Sequence, residues 1–145
     1  MNKLNFVFVV SILSLNCFGQ NKFLKSISES EELSKNVSEL FSQNKVSSGI
    51  NNLSEYWPLP KNELDALEEK TIKYLNLIEA RFGESLGYLK VNEERIADIA
   101  IRETYLVRYS MSAIRLKFTY YKSTKGWILN AFEWDDSFSE EFKNN

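Results

Sequence analysis

Glu103, Tyr105 and Tyr120 are the residues of this chain whose types and spacing reach toward chemistry. Glu103 and Tyr105 stand two apart in an alternating run, so they share one face of a strand. Tyr120 lies on the inward side of the next alternating run, with Asn130 expected opposite it. A carboxyl buried beside phenols is raised in pKa and can act as a general base near neutral pH. Proton abstraction of the isomerase or hydrolyase kind is therefore the catalytic class left open. The plain alternative puts Glu103 at a strand rim and lets Tyr120 and Asn130 satisfy each other, because buried polar groups need partners whether or not they have a task.

Other chemistries lose their residues. The chain has no histidine, which removes the commonest general base and the commonest metal ligand together. Its one cysteine, Cys17, lies near the start, so a zinc site or a cysteine or serine nucleophile with its usual partner lacks ligands or a base. Five glycines form no phosphate-cradling loop. Asp135, Asp136, Glu140 and Glu141 lack the glycine turn and alternating oxygens of a calcium loop and read as a solvated acidic tail. No metal or cofactor is expected. A net charge of −2 leaves no electrostatic footprint for nucleic acid.

The elements that must carry these residues are legible in the second half. Residues 112–122 alternate, with Ile114, Leu116, Phe118 and Tyr120 against Arg115, Lys117, Thr119 and Tyr121. Residues 127–135 form the next strand, after a three-residue loop Thr124-Lys125-Gly126 with Gly126 as a left-handed bulge. That loop sets Ser123 against Trp127, Lys117 against Glu133, Arg115 against Asp135, Leu116 against Trp134 and Phe118 against Phe132. It pairs charge with charge and apolar with apolar, and a slip of one residue would oppose the two sets. Trp127, Leu129 and Tyr121 fall on the second face, which makes Trp127 the candidate for an exposed apolar contact. Strands at 86–97 and 99–109 precede this hairpin.

Helices come first. Ser28 and Glu31 form a capping box for a helix to about Gln43, with Leu33, Val37, Leu40 and Phe41 on its stripe. Ser47 or Ser48 caps a short second helix that presents Ile50, Leu53 and Trp57 and stops at Pro58 and Pro60. Asn62 caps a third, to Phe82, with Leu64, Leu67, Ile72, Leu75, Ile78 and Phe82 inward and Gly83 as its stop. Trp57 and Trp134 read as core. Helices followed by a meander give an α+β plan: N-terminal helices on a curved, about four-stranded antiparallel sheet.

Residues 1–19 read as a secretory signal peptide, with Lys3, an apolar run from Leu4 to Leu15 and small residues Cys17 and Gly19 before Gln20. Lipid attachment at Cys17 is disfavoured because Asn16 does not fit a lipobox. Residues 20–145 then form a single α+β domain, with a frayed tail or one helical turn from about 137. The expected site is periplasmic or extracellular, and no second apolar run reaches membrane length.

Trp57-Pro58, Arg81-Phe82-Gly83, Gly87-Tyr88, Tyr105-Leu106-Val107, Tyr120-Tyr121-Lys122, Gly126-Trp127 and Phe132-Glu133-Trp134-Asp135 follow one another in an order that resembles small exported bacterial proteins of the cystatin-like, or nuclear-transport-factor-2-like (SnoaL-like), superfamily. The resemblance implies a half-cone of sheet roofed by helices. Its members include isomerases, dehydratases, polyketide cyclases and transport factors, so the fold alone does not choose a function. The missing catalytic residues favour a non-catalytic exported domain that binds a small apolar ligand or a protein partner, through Tyr105, Tyr120, Asn130 and Trp127. The alternatives are a hydrolyase or isomerase using Glu103 with Tyr105 or Tyr120, and a surface interaction module at the Trp127 edge. A homodimer is compatible with all three.

Overall fold

The computed structural model describes residues 21–144. The signal-peptide reading of residues 1–19 lies outside them. Three helices, α1 (Ile27–Ser42), α2 (Val46–Ser54) and α3 (Lys61–Phe82), precede four strands, β1 (Ser85–Ile96), β2 (Ala100–Tyr109), β3 (Ala113–Ser123) and β4 (Gly126–Asp135). The strands form one antiparallel sheet in the order β1-β2-β3-β4. α1 lies across β1, β2 and β3, α2 packs beside α1, and α3 packs on α2. This is the expected α+β plan, helices first and then a four-stranded antiparallel meander. No described helix is long and apolar enough to cross a membrane.

The helix starts differ from expectation by a residue or two. Ser26 is the N-cap of α1: its hydroxyl accepts from the Glu29 amide at 3.2 Å. Glu29 in turn accepts from the Lys25 amide at 2.7 Å. The box is thus Ser26 with Glu29, not Ser28 with Glu31, since Ser26 is the residue in extended backbone where a cap must sit. α2 starts after Lys45 and α3 after Pro60, neither with a side-chain cap. Proline at that point has no amide to satisfy and a fixed φ suited to a helix start.

The lower hairpin holds the expected register. Arg115 opposes Asp135, Leu116 opposes Trp134, Lys117 opposes Glu133 and Phe118 opposes Phe132. Above that the expectation fails. Ser123 pairs with Gly126, and Tyr120 opposes Leu129 rather than Asn130, with an irregularity between Thr119 and Tyr120. The extra residue sits at Asn130, not in the loop. A bulge reverses the alternation, so Trp127 and Leu129 turn to the inner face and Asn130 turns to solvent.

A second irregularity lies in β1, between Lys90 and Asn92. Tyr88 and Lys90 alternate before it, and Glu93 and Arg95 after it. The displaced Val91 therefore brings Lys90 and Glu93 onto one face.

The core lies between α1, α2 and the inner face of the sheet. Phe132 is its hub, with ring centroids 5.1 Å from Phe118, 5.6 Å from Phe41 and 6.4 Å from Trp57. Ile50, Leu53, Ile114, Leu116 and Leu129 fill the spaces between. Ile72 of α3 is exposed, and Thr71 is buried in its place. After Asp136 the chain forms a 3-10 helix, Phe138–Asn144, which packs on β1 and β3. Arg115 holds it there, bonding Asp135 at 2.8 and 3.2 Å and Glu141 at 2.8 Å. Asp135 and Glu141 are thus part of an ion-pair network, not a solvated acidic tail.

Candidate functional site

Glu103 is fully buried in β2, on the same inward face as Ile101, Tyr105 and Val107. It is not at a strand rim. Its partner comes from the roof: the hydroxyl of Ser34 on α1 donates to Glu103 Oε2 at 2.5 Å. Ser34 also meets the Tyr120 hydroxyl at 2.7 Å. A serine hydroxyl carries one proton, so with Ser34 donating to Glu103 the phenol of Tyr120 donates to Ser34. Lys90 Nζ donates to Glu103 Oε1 at 3.1 Å and to Glu93 at 2.6 Å, with Glu31 of α1 3.8 Å away.

The electrostatics follow from this packing. Burial pushes the Glu103 carboxyl above its ordinary value, opposed by the bonds from Ser34 and Lys90. Burial also raises Tyr105, to about 12, and drives Tyr120 higher still. Burial alone would lower Lys90, but its bonds to Glu93 and Glu103 hold it above its usual range. Glu93 is lowered by its bonds to Lys90 and Arg95. Glu31, Glu93 and Glu103 each offer an oxygen within 4.8 Å of the others. The Lys90 ammonium already stands among those oxygens and supplies the positive charge that they require.

This arrangement suits anchoring better than proton abstraction. Glu103, Ser34 and Tyr120 have no exposed surface, and a base must come within hydrogen-bond reach of the proton it takes. Tyr105 packs edge-on against Phe118 at 5.9 Å and lies 6.4 Å from Tyr88. Glu103 and Tyr120 are brought together, through Ser34. Asn130 is not, because the bulge points it outward. Trp127 is buried, its amide and carbonyl bonded to Leu24 at 2.7 and 2.8 Å, so it offers no exposed contact.

The open concavity lies elsewhere. A cleft of about 430 Å³ separates α3 from β4. Leu67, Lys70, Thr71, Tyr74 and Ile78 line it from the helix, and the run from Phe132 to Asp136 lines it from the strand. Trp134 is held in place by its indole N–H, which donates to the Thr71 hydroxyl at 3.1 Å. Tyr74 stands edge-on to Trp134 at 6.0 Å. The gap exists because α3 packs chiefly on α2. A second cleft, about 450 Å³, lies between the start of α1 and the β1–β2 turn. Its cations, Arg95 and Lys122, are already paired with Glu93 and Asp98.

Ser34, Lys90 and Glu93 were not among the residues that the sequence singles out. Ser26, Ser30, Ser34 and Ser38 recur every fourth residue, a spacing that puts them on one helix face, and the last three are buried. That regularity was the available signal for Ser34. Tyr74 and Thr71 carry no comparable mark.

No family model matches the chain, and no curated protein matches it. A solved structure described provisionally as an NTF2-like transpeptidase from Campylobacter jejuni is similar to it at 16% identity. The match covers 69% of this chain and 95% of that one, with a TM-score of 0.48.

Proposed function

We propose that the chain is an exported, non-catalytic binding domain whose site is the cleft between α3 and β4. The observation that carries this reading is the half-exposed aromatic wall of Tyr74 and Trp134 beside Ile78 and Phe132, in the gap that α3 leaves beside β4. Binding sites are concave, mostly apolar and fixed by a few polar groups. Here Thr71 fixes Trp134, and Lys70 and Asp136 stand at the rim. The occupant is an apolar group, either a small molecule or a side chain of a partner. The sealed position of Glu103 and Tyr120 supports the non-catalytic reading.

The test uses the apolar dye 1-anilinonaphthalene-8-sulfonate and the variant Leu67→Trp, which fills the cleft from the helix side. Dye emission should rise with a saturable, single-site curve and fall at least about tenfold in affinity in the variant. Equal binding by both proteins would sink the cleft as the site. Export is read separately: the chain recovered from the producing cell should begin at Gln20, and recovery of the intact leader on a cytoplasmic chain overturns it.

A further inference from the structure

The cleft opens along the edge of β4, not onto its face. Five consecutive residues, Phe132 to Asp136, line it. Successive side chains point to opposite faces of a strand, so a lining of consecutive residues follows the strand along its backbone edge. β4 is a terminal strand, so one side of its backbone is not used by the sheet.

The upper part of that edge is already occupied. Leu24 forms an antiparallel bridge with Trp127, and the Leu129 amide donates to the Tyr56 carbonyl at 2.9 Å. Outward-pointing amides alternate along an antiparallel strand, here at Trp127 and Leu129. The bulge at Asn130 advances the phase by one, which puts the next outward pair at Phe132 and Trp134. Among the described residues, no backbone group outside the sheet bonds to these two. Both residues line the cleft.

We propose that the occupant of the cleft is an extended peptide segment of a partner protein, which adds to β4 as a short fifth strand. This rests on the cleft reading above and gives it a partner class. The peptide backbone exchanges hydrogen bonds with Phe132 and Trp134, in continuation of the pairing that Leu24 makes at Trp127. Its alternate side chains enter the space between Tyr74, Ile78 and Phe132, so they are apolar. The segment is short, about three or four residues, because two outward positions span only about 7 Å of strand.

The test is a selection of random heptapeptides against the whole chain, with Leu67→Trp as counter-selection. Selected peptides should alternate apolar and polar residues. Methylation of alternate peptide amides should weaken them at least about tenfold, because it removes strand hydrogen bonds. Amide exchange should slow at Phe132 and Trp134 and stay unchanged at Glu133, whose amide faces β3. Peptides that bind equally well when methylated, or bind without protecting Phe132 and Trp134, overturn the strand pairing. So does a selection that returns no peptide. If the dye still binds in that case, the cleft reading stands alone; if it does not, both fall.

Discussion

The hydroxyls of Ser34 and Tyr120, 86 residues apart, meet at 2.7 Å in the middle of the core. They tie the roof helix to the third strand, and through Ser34 they reach Glu103 on the second. One serine thus fixes where α1 sits on the sheet.

Ser34→Ala leaves both Glu103 and Tyr120 short of a partner in a dry site. The expected loss is about 1–3 kcal/mol of unfolding free energy. Tyr120→Phe removes one end of the same bond, so the two changes should be non-additive in a double-mutant cycle, by about 0.5 kcal/mol or more. Urea titrations of the four proteins give the answer, and strict additivity would mean that the hydroxyls do not interact.

Glu103 gives a pH signature of definite sign. Its folded pKa is raised, so the folded state binds its proton more tightly than the unfolded state does. Stability from this group is greatest below the ordinary carboxylate value and falls as pH rises from there through the folded pKa. Glu93 and Asp135 are lowered, so their contribution is complete above the ordinary value and is lost only at more acid pH. Glu103→Gln removes the first effect alone. The variant should gain on the wild type in melting temperature as pH rises above about 4.3. Parallel curves across that window would rule out the shift.

Gly126 and Gly87 separate two costs of a side chain. Both have positive φ, +138° and +107°. A Cβ at Gly87 meets nothing within 4 Å, whereas at Gly126 it falls 2.6 Å from the Leu24 carbonyl oxygen. Gly87→Ala should cost only the backbone strain, about 1–3 kcal/mol. Gly126→Ala should cost more, because it also displaces the segment that covers β4. Thermal melts rank the pair, and equal losses would show that Leu24 yields freely.

Arg115 joins three elements with a side chain only 11% exposed. Arg115→Met strands Asp135 and Glu141, with an expected cost of about 2–4 kcal/mol, less than for a pair wholly out of water because Asp135 is partly solvated. Arg115→Lys should recover less than half of that, since an ammonium cannot make the forked contact. Release of the C-terminal helix is visible as faster amide exchange over residues 138–143. Full recovery by lysine would show that charge alone is at work.

What could be read from the sequence was what repeats or alternates. The pairs Lys117–Glu133 and Phe118–Phe132 were legible because opposite charges and opposite rings mark the register twice. The inward face of β2, Glu103 included, followed from the same alternation. The bulges did not follow. Asn130 reads as one more polar residue in a strand, and nothing in its neighbours says that it stands outside the count. Alternation alone therefore puts Trp127 on the outer face, whereas it is buried on the inner one. Val91 hid the partnership of Lys90 with Glu103 in the same way, since the two residues come together only once β1 skips a residue. The cleft was not legible at all, because it arises from where α3 fails to pack.

Lys90 has a consequence for chemical labelling. Amines are acylated in their neutral form, and this one is held as an ammonium among Glu93, Glu103 and Glu31. In the folded protein it should be the slowest lysine to react with an amine-directed reagent. Its two short bonds run to Glu93 on β1 and Glu103 on β2, so its rate should return to that of an ordinary lysine only when these two strands part, and one modified position becomes a footprint of their pairing.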